Sequence, residues 1–239
     1  MRQAMKRFWT ETSIAAEAGG YAILLDGKPM RLPGGPALQF GHLPLAEAIA
    51  AEWIAVPPGA ELQPALLPMT QLAATAQLRI PATRDETVMA IAAYGRSDLL
   101  CYRATEPAEL VQRQQALWQP WLDWAVLRHD ALLRVTEGIG FVDQPAPSLA
   151  ALSRAVAAHD DHGLAALGVL VPLLGSLVLG LAVTDGALVA TEAHRLSVLD
   201  EVFQEERWGL DRDAAAGRAQ KAAEAEDAAR YFQLTRSAA

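Results

Sequence analysis

The spacing of apolar and polar positions changes character near residue 60. Before it, short apolar runs alternate with turn residues. Tyr21 to Leu25 (YAILL), the dipeptide Asp26-Gly27 and Lys28 to Leu32 (KPMRL) predict a β-hairpin, because Asp and Gly tolerate the positive φ of a two-residue hairpin turn. Phe8 and Trp9 are expected to begin an earlier strand, and Ala37 to Phe40 to form a later one. Beyond residue 60 helical signals take over, the first of them already visible in the amphipathic run Leu45 to Ile54, stopped by Pro57-Pro58. Thr70 is placed to cap a helix through Ile80 that Pro81 ends, and Thr83 with Glu86 has the spacing of a capping box for a helix to about Tyr94. Pro107 suits the first turn of a longer helix to about Leu127, with Pro120 as an internal kink. Ser148 is expected to cap a helix to about Ala158. The last two helices are expected over Ala187–Trp208, closed by Gly209, and over Asp211–Phe232, with the tail after Leu234 frayed. The predicted class is α+β: a small N-terminal antiparallel β-rich domain (residues 1–60) followed by a larger, mostly α-helical domain (61–239).

One stretch tests that division. Leu164 to Val183 carries no charge and has the length to cross a bilayer. Gly168, Pro172, Gly175 and Gly180 interrupt it, and Asp160, Asp161 and Asp185 flank it without a Lys/Arg cluster. Two short buried helices meeting near Gly175 are the expectation, and a peripheral membrane protein using 164–183 is the alternative.

Composition narrows the function classes. Of the 239 residues 52% are hydrophobic but only 6% aromatic, and alanine makes up much of the difference, which favours helix. A net charge of −8 argues against nucleic acid, which needs clustered Lys/Arg. The lone Cys101 excludes an internal disulfide and reads as a small buried residue. Met1 to Thr10 shows neither a secretory h-region nor an Arg/Ser-rich presequence, as expected of a cytoplasmic protein.

No P-loop, dinucleotide fingerprint, nucleophile elbow or HExxH motif occurs. Gly138-Ile139-Gly140 reads as a turn. His159-Asp160-Asp161-His162 resembles a metal cluster, but adjacent residues project in different directions, so a solvated loop capping the next helix is expected. His194 is expected at the surface. Trp118, Trp121 and Trp124 lack the basic groove of a stacking platform and read as core or a helix seam. An enzyme would have to assemble its site from dispersed groups such as His129, Asp98 and Arg103.

The segment around Glu201 carries more. On a continuous helix Val189, Glu192, Leu196, Leu199 and Phe203 share one side, whose apolar members make the core face. Glu201, Gln204, Glu205 and Trp208 fall on the other side, within about 100° of one another. From Asp185 to Asp213 eight acids face three arginines. This is either an ordinary solvated face or a binding surface, where an exposed Trp beside polar groups has the composition of a hot spot and the acidity would steer a basic partner.

Seven runs in order carry a resemblance. They are KRFW (Lys6 to Trp9), YAILLDGKPMRLP, LAEAIAAEW (Leu45 to Trp53), LPMTQLAATA (Leu67 to Ala76), YGRSDLLCYRA (Tyr94 to Ala104), QQALWQPWLDW (Gln114 to Trp124) and LDEVFQEERWG (Leu199 to Gly209). Together the chain resembles the F1-ATPase assembly chaperones that act on the α subunit. The resemblance implies a small β domain followed by a helical one, no enzymatic activity, no cofactor and no nucleic acid. It also implies a protein, expected to be monomeric, that holds free α subunit until the β subunit displaces it. Mitochondrial members of the family work in the matrix and carry a presequence, so this chain resembles a bacterial relative. Its Glu201, with Gln204, Trp208 and Gly209, matches the family's penultimate-helix motif and implies a partner-binding face there, which Glu205 shares by its helical position. Trp53 reads as a core anchor, and Asp98 and Arg103 as either an internal ion pair or a partner-facing one.

Overall fold

The computed structural model describes residues 6–32, 35–138 and 140–236. Its N-terminal sheet has three antiparallel strands, β1 (Thr12–Glu17), β2 (Gly20–Leu25) and β3 (Lys28–Pro29), in that order. The expected β2–β3 hairpin is present, with Asp26 at φ 47° and Gly27 at φ 75° in its turn. The flanking strands differ from expectation. The first strand is β1, paired Thr12↔Leu25 through Glu17↔Gly20; Phe8 and Trp9 lie outside it. Trp9 is instead a buried plug whose ring sits 4.9 Å from that of Trp53. Ala37 to Phe40 makes only single bridges, Arg31↔Ala37 and Tyr21↔Phe40. At Gly20 the chain turns so close to this segment that a Cβ would collide with the Phe40 carbonyl oxygen.

Helix α1 (Leu43–Ala55) lays Leu45, Ala46, Ile49, Ala50 and Trp53 toward the core at helical spacing. Two of the sequence runs explain each other here. The Glu52 carboxylate accepts from the Met69 and Thr70 amides at 2.6 and 3.0 Å and from the Thr70 hydroxyl at 2.8 Å, while the Trp53 indole donates to that hydroxyl at 3.0 Å. A side chain of α1 thus satisfies the free first-turn donors of α2 (Pro68–Ala74). Trp53 is 1% exposed, the anchor expected of it.

The chain does not stop at Pro81. A π turn over Thr75–Arg79 runs directly into α3 (Ile80–Ala92), with Thr83 non-helical at φ −131°. The widened turn accommodates the missing proline donor, and the Thr83 hydroxyl donates back to the Arg79 carbonyl at 3.1 Å instead of capping a new helix. After two 3-10 turns (Ala93–Ser97 and Leu99–Cys101), a short strand β4 (Tyr102–Arg103) pairs in parallel with β5 (Thr136–Glu137), a contact between distant segments. Between them runs α4 (Ala108–His129), with Pro120 inside and Leu110, Gln114, Trp118, Leu122 and Ala125 buried. Helix α5 (Ala146–Ala157) starts before Ser148, whose hydroxyl donates to the Leu132 carbonyl at 2.7 Å and caps nothing.

The uncharged stretch forms the two buried helices expected, α6 (Asp161–Leu174) and α7 (Leu177–Thr184), joined at Gly175 with φ 62°. Among the described residues no helix is long and apolar enough to cross a membrane. The expected penultimate helix is two, α8 (Ala190–Ser197) and α9 (Leu199–Trp208), broken at Val198. Helix α10 (Arg212–Leu234) closes the fold against α6, α8 and α2, with the Asp211 side chain capping it.

Candidate functional site

Helix α9 is anchored by Leu199 and Phe203, both buried. The Phe203 ring is clamped between two guanidinium groups, Arg113 of α4 at 5.1 Å and Arg207 at 4.7 Å from its centroid, an arrangement that holds a cation against a negative ring face. The other side of α9 is open. Glu201 and Gln204 are exposed, Trp208 is 78% exposed and Leu210 beyond it 67%. Gly209, at φ 99°, ends the helix just after Trp208.

Glu205 departs from the expected outward set. It turns back, half-buried, to pair with Arg218 of α10, which also lies 3.6 Å from Glu201. The Glu205 hydrogen bond is the main cause that holds the Arg218 guanidinium above its ordinary pKa. The break at Val198 spoils the single helical register assumed for the segment. Val189 is consequently 66% exposed, and Glu192 pairs on the surface with Arg195. His194, expected at the surface, is buried, and its pKa is lowered by burial and then by Lys221.

The acidity of this region is largely compensated. Asp185 pairs with Arg128 at 2.9 Å and Glu206 with Arg113 at 2.6 Å, while Gln114 donates to Asp200 at 2.8 Å. Glu201 keeps 59% of its side chain in solvent with Arg218 only at ion-pair range. It is the acid on this face with most charge to offer a partner.

Asp98 and Arg103 form neither an ion pair with each other nor an exposed pair. Asp98 is fully buried and accepts from the Leu100 amide at 3.1 Å, the Ser176 hydroxyl at 2.8 Å and the Val178 amide at 3.0 Å. It ties the 3-10 turn Leu99–Cys101 to the first turn of α7. Burial pushes its carboxyl up, against the pull of those donors. Arg103, 5% exposed, donates to the Leu100 carbonyl at 2.9 Å and the Gln114 carbonyl at 2.6 Å and lies 5.3 Å over the Trp118 ring. Its pKa is lowered, chiefly by burial. Through Gln114, whose side chain accepts from the Ala104 amide and donates to Asp200, this buried set reaches the base of α9.

The relatives show which family the chain belongs to. The model of the family described as ATP12 chaperone protein matches residues 6–126. Atp12 from Paracoccus denitrificans is similar over 97% of this chain and 98% of its own, at 43% identity and a TM-score of 0.90. A mutant of the same protein matches at 42% identity and 0.89 over the same shares. A chaperone candidate from Agrobacterium tumefaciens matches at 35% and 0.89, over 95% of this chain and 85% of that one. The chain belongs to the ATP12 chaperone family.

Seen as an ATP12 chain, the remaining sequence candidates fall into structural places. Asp160 caps α6 through the Gly163 amide at 2.7 Å, Asp161 pairs with Arg84, His162 meets the Tyr231 hydroxyl, and His159 contacts the Ala155 carbonyl and the Thr184 hydroxyl. The aspartates cap and pair as a loop would, whereas both histidines pack inward. Among the described residues no three His, Cys, Asp or Glu side chains converge as metal ligands. Trp118 is fully buried and donates to the Leu196 carbonyl at 2.9 Å, with Trp121 and Trp124 half-buried beside it. Burial pushes the Cys101 thiol up to about 12, so it is inert as a nucleophile. His129 stacks edge-on against Trp124, apart from Asp98 and Arg103 in its contacts. Sequence reasoning passes over Arg218 and Gln114, the residues that brace α9 from α10 and α4. Neither stands in a local pattern that signals such a role.

Proposed function

We propose that this ATP12-family protein is a non-catalytic assembly chaperone that holds the free α subunit of F1 ATP synthase until the β subunit displaces it. Family membership and the sequence resemblance support this role, and its bacterial relatives support a bacterial cytoplasmic setting. The observation that carries the site is the open face of α9, where an indole 78% exposed stands beside Glu201 and Gln204. A large exposed aromatic next to polar groups is what binding hot spots are made of, and a rigid backing lets it bind without an ordering cost. A capping partner works by mass action: it lowers the free concentration of a subunit whose bare interface would self-associate. Release then follows from competition by β.

Light scattering of refolded F1 α and β subunits, each with and without equimolar chaperone, tests the reading. Suppression for α alone, reversed on adding β, is expected. Glu201→Lys should lose the suppression while keeping its melting temperature, because Arg218 retains Glu205. Undiminished suppression by Glu201→Lys removes the α9 face from the mechanism. No effect of the wild-type protein on either subunit removes the α subunit as client.

A further inference from the structure

Helix α6 is buried on nearly every side except along one stripe, where Gly168 and Pro172 reach the surface. That stripe floors a groove of about 1040 Å³. Its walls are α2, the π turn and α3 on one side and the second half of α10 on the other. Small floor residues, Ala165 and Gly168 among them, leave the depression open, and Leu72, Ile80 and Ile91 add apolar wall. Three carboxylates, Glu86, Glu224 and Asp227, line it against one guanidinium, Arg79.

Size and charge together choose an occupant. The volume lies at the upper limit of small-molecule sites, about 1,000 Å³, so the length and charge of the groove decide. Along α3, the wall from Ile80 to Ile91 spans roughly 16 Å at 1.5 Å per residue, the length of about three helical turns. An anionic amphiphile such as a fatty acid would meet three carboxylates. We propose that the groove docks an amphipathic helix of a partner protein, apolar face toward α6 and lysine or arginine side chains toward Glu86, Glu224 and Asp227. Helix-in-groove binding of this kind reads apolar anchors one and two turns apart. Asp227 is the natural seat for a cation. Burial, with Glu226 and Glu224 adding to it, holds its carboxyl above the ordinary range against the pull of Arg230, and its charge in turn raises Glu52, so a further positive side chain there relieves crowded like charge.

This surface is distinct from the α9 face. Arg218 on α10 looks toward α9, while Gln220, Glu224 and Asp227 on the same helix line the groove. The test uses the full chain and a fluorescein-labelled, fourteen-residue amphipathic Leu/Lys peptide, read by anisotropy, with a Leu/Glu peptide of the same pattern as comparison. Saturable binding of the Leu/Lys peptide is expected, at least about tenfold tighter than Leu/Glu. Gly168→Trp should weaken it at least about tenfold without lowering the melting temperature, since a Cβ at Gly168 meets nothing within 4 Å. Glu224→Lys should weaken it, and Glu137→Lys, with the same charge change away from the groove, should not. Unchanged affinity in Gly168→Trp, equal losses in the two lysine variants, or no saturable binding would overturn the proposal. The α-subunit assay is independent, so a groove that fails leaves the α9 reading standing.

Discussion

Replacing Asp98 separates a buried brace from a partner contact. In the folded chain its carboxylate accepts three hydrogen bonds, from Leu100, Ser176 and Val178. Asp98→Ala strands two buried amide donors and the Ser176 hydroxyl, which still accepts from the Leu179 amide at 3.1 Å but must turn its own O–H to another acceptor. Each stranded buried donor costs about 1–3 kcal/mol. Removing a carboxylate that burial already disfavours returns part of this, so the expected loss is about 2–4 kcal/mol. Asp98→Asn keeps one acceptor oxygen but turns an NH₂ toward at least one donor, for an expected loss of about 1–3 kcal/mol. The assay is urea unfolding followed by far-UV circular dichroism, with the slope m unchanged so that the midpoint reports stability. The expected order is Asp, then Asn, then Ala, and folded variants should bind their client as wild type does. Asp98→Ala that unfolds at the wild-type midpoint, or that loses client capture while its unfolding curve stays put, would refute the role of a buried brace.

Other perturbations read other parts of the fold. Glu52→Gln puts an amide NH₂ against one of the donors from Met69 or Thr70 and should lower stability by about 1–3 kcal/mol in the same urea assay. Gly168→Ala, at an exposed helical position with open space at its Cβ, should raise stability by about 0.5–1 kcal/mol. Cys101 should resist a thiol reagent in native buffer and react fully in urea, because burial holds its thiol near about 12; fast native labelling would contradict the burial. The His159 pKa is lowered by burial, so its contribution is complete above the unfolded value of 6.5 and is lost as pH falls through the folded one. The stability gap between wild type and His159→Gln should therefore narrow on acidification, and a constant gap measured from neutral to acidic pH would refute it.

Local chemistry makes part of this fold legible. The Asp-Gly turn, the Pro57-Pro58 stop, the Gly175 break and the start of the last helix at Asp211 each act within a few residues, and each is found where its sequence puts it. What stays hidden depends on distant segments. Strand β1 is TSIAAE, half-exposed along most of its length, so it carries no strong alternation to betray it. Thr83 and Glu86 have capping-box spacing, but the π turn carries the helix through Pro81 to a kink at Thr83, whose hydroxyl donates back to the Arg79 carbonyl. His194 is buried against expectation because the break at Val198 rotates α8 relative to α9. The groove over α6 joins three helices far apart in sequence, and no window of residues contains its walls.

The charge of the α9 face shows most clearly why counting along the chain misleads. In sequence, the segment from Asp185 to Asp213 reads as an acidic run of eight acids; in the fold, arginines of α4 and α10 answer Asp185, Glu205 and Glu206 and approach Glu201. Exposed pairs of this kind contribute little stability singly, but here they converge on one short helix. Arg113 and Arg207 share Glu109 while clamping the Phe203 ring, Arg113 also holds Glu206, and Arg218 holds Glu205. Below, Arg103 and Gln114 fix α4 against Asp200 at the start of α9. A ten-residue helix could not keep its own register, yet this one is held at its base, its ring and its far side. The consequence is a braced backbone under Trp208 and Glu201, a backing that does not need to be ordered on binding. Long-range steering is correspondingly weak, because the field is mostly neutralised at close range. On the proposed reading, affinity at this face comes from contact with Trp208 and Glu201, and Trp208→Ala should raise the client dissociation rate far more than it slows association.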